Sequence, residues 1–365
     1  MKFLDVIGDW LNEHFSNKEA IYLILLIVAT AIVLATLGSV LAPVITGLVI
    51  AFLLQGVVKN LERAKVPSTL AVYIAVMVFV SVVITVALFL FPLIWQQLTD
   101  LAQLLPKIIP RLREGLADLQ QSFPEFVSKE QISVLLDQGA RELGNVSATV
   151  VETAFSQVFS VLGLLIYLVL VPITVFFFLK DKDLLLEFAK SLLPKDRPLL
   201  DTVGNEMNLQ LGNYVRGKVI EILVVGSTTF VALTILDLNY AALLGVFVGL
   251  SVIIPYVGAA LVTIPVFIVA LFQFGWSSEL AIVMSAYGVI QFLDGNVLVP
   301  LLFSEVVDLH PITIIVAVLA FGGLWGVWGV FFAIPLATLV KAIYKAWPRI
   351  EVAPEIAGAR DVVKA

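Results

Sequence analysis

The chain has no cysteine and only two histidines, His14 and His310. Disulfides, thiolate catalysis and cysteine-based zinc sites are thereby excluded, and so is a histidine-rich metal centre. Charge is scarce as well. Asp, Glu, Lys and Arg make up 14% of the 365 residues, where a soluble domain carries about 25%. With a net charge of −6 there is no basic surplus for nucleic acid to bind. G-x-x-x-x-G-K-[ST] is missing, so ATP-driven work by this chain is not expected. H-E-x-x-H is missing too, and no serine–histidine pair accompanies a glycine elbow. Neither an enzymatic activity nor a cofactor is expected.

What the chain has is apolar sequence. Hydrophobic residues reach 60%, with 24 Phe, 8 Tyr and 6 Trp, a composition that suits a lipid-facing protein with interfacial anchors. A membrane span needs about 20 mostly apolar residues. Runs of that kind cover residues 21–41, 44–58, 70–94, 158–179 and 219–236. Pro43 marks a turn between the first two. Beyond residue 236 the apolar sequence is broken. Residues 240–254 and 257–274 flank Pro255-Tyr256, and 280–293 ends at Asp294-Gly295-Asn296. Residues 312–340 carry Gly322-Gly323, Gly326, Gly329 and Pro335. The fold class is all-α: a polytopic membrane protein with about eight transmembrane helices and broken or re-entrant C-terminal segments.

Two stretches are too polar for lipid. Residues 95–157 hold five basic residues against eight acidic ones. Leu98, Leu101, Leu105, Ile108 and Leu112 step by three and four, the helical period, so a small helical extramembrane insert is expected. Residues 180–218 hold seven Lys/Arg and six acids, and Leu184, Leu185 and Phe188 share one face of a short helix. The expected organisation is then residues 1–94 with three spans, 95–157 as the insert, 158–218 with the fourth span and a cytoplasmic segment, 219–347 as a transport core, and 348–365 as a tail. Basic residues gather in cytoplasmic loops. The N-terminus, residues 59–65, residues 180–218 and the tail are therefore expected inside, and the insert outside. An even number of crossings follows if residues 312–340 turn back near 321–326 as a hairpin. It still follows if 240–274 folds back as a second hairpin, with six crossings in place of eight. Non-helical backbone at membrane depth is tolerated only where protein or a water-filled cavity surrounds it, so the breaks point to a translocation path.

Polar residues inside apolar sequence are the candidates for function. Asp294 comes first, with Gln291 on the same helical face, and Asn296 and Pro300 just beyond. Gly295 permits a local break. Asp294 either carries a proton or ion, or caps a helix end facing water. Asp308 and His310 end the next loop. His310 is either a proton relay or a hydrogen-bonded turn residue before Pro311. Pro255, Tyr256 and Gly258 break the 240–274 run. Glu221 pairs either with Lys218 three residues away, as a plain helical ion pair, or with Arg216 as a cytoplasmic gate. Gly245-x3-Gly249 and Gly322-x3-Gly326 have the small-residue spacing that lets helices pack closely.

Asp294-Gly295-Asn296-Val297-Leu298-Val299-Pro300 resembles the E/D-x-N-x-x-x-P signature of the AI-2E family of permeases. Leu309-His310-Pro311, Ile254-Pro255-Tyr256-Val257-Gly258 and Asn213-Tyr214-Val215-Arg216-Gly217 resemble further motifs of that family. So does Gly322-Gly323-x2-Gly326-x2-Gly329 followed by Ala333-Ile334-Pro335-Leu336. The motifs are collinear, and the N-terminal plan agrees best with PerM-type members. Lys218 stands where a Gln is common, Asp308 where a Gly is common, and Asp294 where Glu is frequent. The resemblance implies an eight-span, oligomeric secondary transporter of the inner membrane. Its expected cargo is a small polar solute such as autoinducer-2, moved by alternating access. Sodium(lithium)/proton exchange through Asp294 is the alternative, and a non-transporting scaffold built around the insert is a third.

Overall fold

The computed structural model describes residues 18–103, 138, 141, 161–303 and 309–346. The expected helices of the insert beyond Gln103, Asp308, and the tail beyond Ala346 lie outside the described residues. Among the described residues there is helix and turn and no strand. The described α-helices include, in order, α1 Lys18–Arg63, α2 Ser68–Thr85, α3 Val161–Lys180, α4 Lys182–Ser191, α5 Pro198–Ile235, α6 Ala241–Ser251, α7 Val257–Phe274, α8 Ser278–Leu293, α9 Val299–Phe303, α10 Pro311–Phe331 and α11 Ala333–Ala346, and residues 91–103 are helical as well. Among the described residues, seven helical stretches are by length and composition long and apolar enough to cross a membrane: Ile21–Gly38, Val40–Arg63, Ser68–Gln103, Pro198–Ile235, Val257–Phe274, Ser278–Phe303 and Pro311–Phe331. Large apolar side chains such as Phe89, Leu319 and Val327 stand exposed along them, as lipid contact requires.

Pro43 makes no turn. It lies inside α1, one helix of 46 residues that carries two of the seven stretches, so residues 21–41 and 44–58 do not form a helix pair. Packing overrides the local break signal. The wall of α3 presses Thr174 against Gly47, where even a methyl group would overlap it, and Ala51 is buried with Val171 and Val175. The helix bends instead. Leu23 packs with Leu200 and Val203 of α5, and Phe52 reaches Gly212. Twenty-nine residues of α1 thus match about 12 of α5, too few for two straight helices at about 1.5 Å per residue. In the segment 180–218 the expected short helix with Leu184, Leu185 and Phe188 is α4. Only α4 is a short helix of its own, and from Pro198 onward the chain is already in the 38-residue α5.

Helix α5 is the axis on which the C-terminal elements assemble. Glycines set the closest approach. A Cβ on Gly249 would meet the Ile222 carbonyl at 2.8 Å, and one on Gly226 would meet the Gly245 carbonyl at 3.1 Å. The expected glycine packing at Gly245 and Gly249 is therefore between α5 and α6. Gly322 and Gly326 serve a different end. Gly326 has φ 60° and ψ −135°, a left-handed conformation open to glycine, and there the chain reverses. The Gly329 backbone returns against the Phe321 carbonyl, so Pro311–Ala346 is a helical hairpin. Its two arms bury Ala317 against Ala333 and Ala337.

A second hairpin, α6–α7, turns at Val252–Tyr256, with Gly258 pressed against the Ser251 carbonyl. Tyr256 has φ 62° and ψ −49°, and the Val257 N–H donates to the Pro255 carbonyl at 2.7 Å. That is a γ-turn of the rare, strained kind. At its open end Gln273 clamps the α5–α6 turn, accepting from Asn239 N–H at 2.7 Å and donating to the Asp237 carbonyl at 2.6 Å.

Two π-helical turns interrupt the spans, at Val86–Leu90 and Asp294–Leu298. Each ends two residues before a proline, Pro92 and Pro300. A proline ring collides with the carbonyl four residues back and supplies no N–H. The wider turn accommodates both effects.

Candidate transport site

The two hairpins meet α5 one helical turn apart. At the lower level the Tyr214 hydroxyl, on a fully buried side chain, donates to the Phe331 carbonyl at 2.8 Å, where α10 gives way to α11. At the upper level the Lys218 ammonium donates to the Val252 carbonyl at 2.7 Å, the first residue after α6. A cation there also complements the negative end of α6. Between the two levels lies Phe303 of α9. Its ring is 5.8 Å from that of Tyr214 and 5.3 Å from the Lys218 nitrogen, the latter a cation–π contact. Gly217 makes room for it, since a Cβ there would lie 2.6 Å from the ring.

Lys218 also forms an ion pair with Glu221 at 2.8 Å, and both side chains are buried, 4% and 2% exposed. The helical i,i+3 pair expected from spacing is therefore present. Arg216 takes no part in it. It lies on the exposed side of α5, donating to the Gly212 carbonyl at 2.9 Å and to Asn213 Oδ1 at 3.3 Å. Five residues of helix turn it away from Glu221, so the expected Arg216–Glu221 pairing does not form.

Asp294 opens the second π turn. Its Oδ1 is buried and has no hydrogen-bond partner among the described residues, and the π turn that Asp294 opens packs on α5, the helix that carries Lys218 and Glu221. A buried carboxylate oxygen left open in this way is costly and stands ready for a donor.

Gln291, one turn earlier, faces a different partner. It donates to the Tyr287 hydroxyl at 2.7 Å, and that hydroxyl in turn lies 3.1 Å from the Thr263 hydroxyl and 3.3 Å from the Ala259 carbonyl. This chain ties α8 to α7. Asn296 is exposed and bonds to its own helix at the Phe292 carbonyl, 2.9 Å away. Pro300 is accounted for by the π turn. His310 is a helix cap, with Nδ1 accepting from the Ile312 N–H at 3.3 Å and Pro311 at the first helical position, as the turn reading expected. Pro255, Tyr256 and Gly258 shape the hairpin tip whose first carbonyl Lys218 holds.

Of the expected residues, Glu221 pairs with Lys218, Asp294 opens a π turn packed on the same helix, and the hairpin tip that Pro255–Gly258 shapes reaches Lys218 through Val252. Arg216, Asn296 and His310 bond within their own elements. Lys218, Tyr214 and Phe303 complete the site. Their signals were the three-residue spacing to Glu221 and the Tyr214–Gly217 motif. Nothing local marked Phe303.

Replacing Gly217 by Val is expected to push the Phe303 ring off α5 and lower stability by about 1–3 kcal/mol, the usual range for overpacking. Thermal unfolding in detergent reads it. An unchanged melting temperature would mean that Phe303 does not seat on this glycine.

Apolar spans, two helical hairpins docked on one long helix, and a buried ion pair on that helix define a polytopic helical membrane protein. The model of the AI-2E family transporters matches residues 21–349, and the chain belongs to that family. It is 42% identical to PerM of Escherichia coli (strain K12) over 352 residues, 96% of this chain and 100% of that protein. It is 27% identical to YueF of Bacillus subtilis (strain 168), covering 91% of this chain and 92% of the relative. The AI-2 transport protein TqsA of Escherichia coli (strain K12) is 23% identical, covering 83% and 85%.

Proposed function

We propose that this transporter moves a small polar solute of the chemical class of autoinducer-2 across the inner membrane by alternating access, without ATP hydrolysis. The observation that carries the reading is the open Oδ1 of Asp294 beside the buried Lys218–Glu221 pair, where the two hairpins meet. A polyhydroxylated solute supplies what that cluster lacks: a hydroxyl donates to Asp294, and ring or carbonyl oxygens accept from Lys218. Uncharged cargo leaves the cluster's charge balance unchanged as it passes. The elements that move are the α6–α7 and α10–α11 hairpins, each held to α5 by one strong polar contact, at Val252 and at Phe331. Membrane-depth breaks of this kind suit rocking about a fixed site. The relative TqsA, named an AI-2 transport protein, supports the choice of solute.

We further place both termini in the cytoplasm. The start of α1 lies beside the start of α5 and the end of α11. Glu19 accepts from the Leu199 N–H at 2.8 Å, and Leu23 shares a cluster with Leu200 and Ile343.

Everted inner-membrane vesicles carrying wild type or Asp294→Asn test the reading. Wild type is expected to accumulate autoinducer-2, and Asp294→Asn to lose most of that uptake at equal expression. The alternative has its own signature in the same vesicles. Sodium- or lithium-dependent collapse of an imposed proton gradient, without solute uptake, would replace solute transport by cation/proton exchange. Full uptake by the variant would remove Asp294 from the path.

A further inference from the structure

Helix α4, Lys182–Ser191, follows the end of the α3 span after one residue, Asp181, and no residue of it is buried. Its packing contact is with α3. At 100° per residue, Leu184, Leu185, Phe188, Ala189 and Leu192 fall within an arc of about 140°. Leu184, Phe188 and Leu192 are 69%, 64% and 72% exposed. Lys182, Asp183, Glu187, Lys190 and Ser191 take the opposite arc, with Leu186 the one apolar residue among them. We infer that α4 lies in the headgroup plane of the leaflet where α3 ends, with this apolar arc sunk into the acyl boundary.

Three observations choose the bilayer as the occupant. First, the helix continues the apolar α3, on which Ile166, Val169 and Phe177 stand exposed: the Asp181 N–H donates to the Phe177 carbonyl at 2.8 Å, and the Leu185 N–H to the Asp181 carbonyl at 2.9 Å. Only one turn of chain separates the apolar arc from lipid-facing α3. Second, that junction has the make-up of an interface. Lys180 stands 5.5 Å over the Phe176 ring, a stem in the apolar layer with its ammonium at the water edge. Third, the helix is strongly two-faced, with four charged residues among its ten, the pattern of helices that lie on membranes and do not cross them.

The far end of α4 is fixed as well. Arg197 donates from Nη1 to the Lys190 carbonyl at 2.8 Å and from Nε to Asp201 of α5 at 3.1 Å. Helix α4 is therefore a bracket between α3 and α5. With its apolar arc in the interface it sets the depth at which α5 holds Lys218.

The cysteine-free chain permits a direct test. Single cysteines at Leu184, Phe188, Leu192, Asp183 and Glu187 carry nitroxide spin labels in the full protein, reconstituted in phosphatidylcholine–phosphatidylglycerol vesicles. Collision with oxygen reports lipid, and collision with a nickel chelate reports water. The labels at 184, 188 and 192 are expected to favour oxygen, and those at 183 and 187 nickel. Nickel access at all five would lift α4 off the membrane. Apolar-face labels closed to both reagents would mean that protein, such as a second copy, covers the arc. Neither result depends on the solute, so failure here leaves the proposed transport untouched.

Discussion

Lys218→Met is expected to destabilise the protein by roughly 3–5 kcal/mol and to abolish transport. The ammonium holds three things together: the Glu221 carboxylate at 2.8 Å, the Val252 carbonyl at 2.7 Å and the face of Phe303. Removing it strands a carboxylate that is 2% exposed, and an unpaired buried charge is the costly half of a broken pair. It also frees the α6–α7 tip from α5. The double variant Lys218→Met/Glu221→Leu separates these effects. With both charges gone the desolvation cost disappears, and replacing a buried pair by apolar groups is often neutral or stabilising. Most of the lost stability should return in thermal unfolding. Transport should not return, because the donor proposed to face the solute is absent. A double variant that transports normally would reduce the pair to a structural element. An undisturbed single variant would show that Glu221 reaches water.

Local chemistry made part of this arrangement legible. Pro255-Tyr256 followed by Gly258, and the glycines at 322–329, announce chain reversals, because proline and glycine act on the backbone wherever they sit. Glu221 announces Lys218 by helical spacing alone. Pro43 was misleading for the same reason: its local signal is strong, but tertiary packing of α1 against α3 outweighed it. What no local pattern reveals is that both hairpins use one helix as their seat, Phe331 at Tyr214 and Val252 at Lys218. These contacts join residues 117 and 34 positions apart. Phe303, one phenylalanine among 24, becomes distinctive only once Gly217 has opened the slot beneath it.

Gly258→Ala should be, with Gly329→Ala, among the most damaging single methyl groups at the described glycines, because it acts where two backbones touch. Its Cβ would overlap the Ser251 carbonyl, and neither partner is the end of a flexible side chain. The adjoining Tyr256 is already in a strained γ-turn, so the tip has little freedom left to yield. The hairpin must open, and opening moves the Val252 carbonyl off Lys218, three residues of turn away from Tyr256. A stability loss at or above the 1–3 kcal/mol of ordinary overpacking is expected, together with loss of transport. Gly329→Ala creates the equivalent overlap with the Phe321 carbonyl in the other hairpin, close to Phe331 and its bond to Tyr214. It too should lose both stability and transport. Gly288→Ala is the control: nothing lies within 4 Å of the added methyl group, and in a helix alanine gains up to about 1 kcal/mol over glycine. Melting temperature in detergent and uptake by vesicles should both rank Gly288→Ala with wild type and the other two far below. If Gly258→Ala melts with wild type, the hairpin tip is looser than its contacts imply, and the coupling of that tip to Lys218 fails with it.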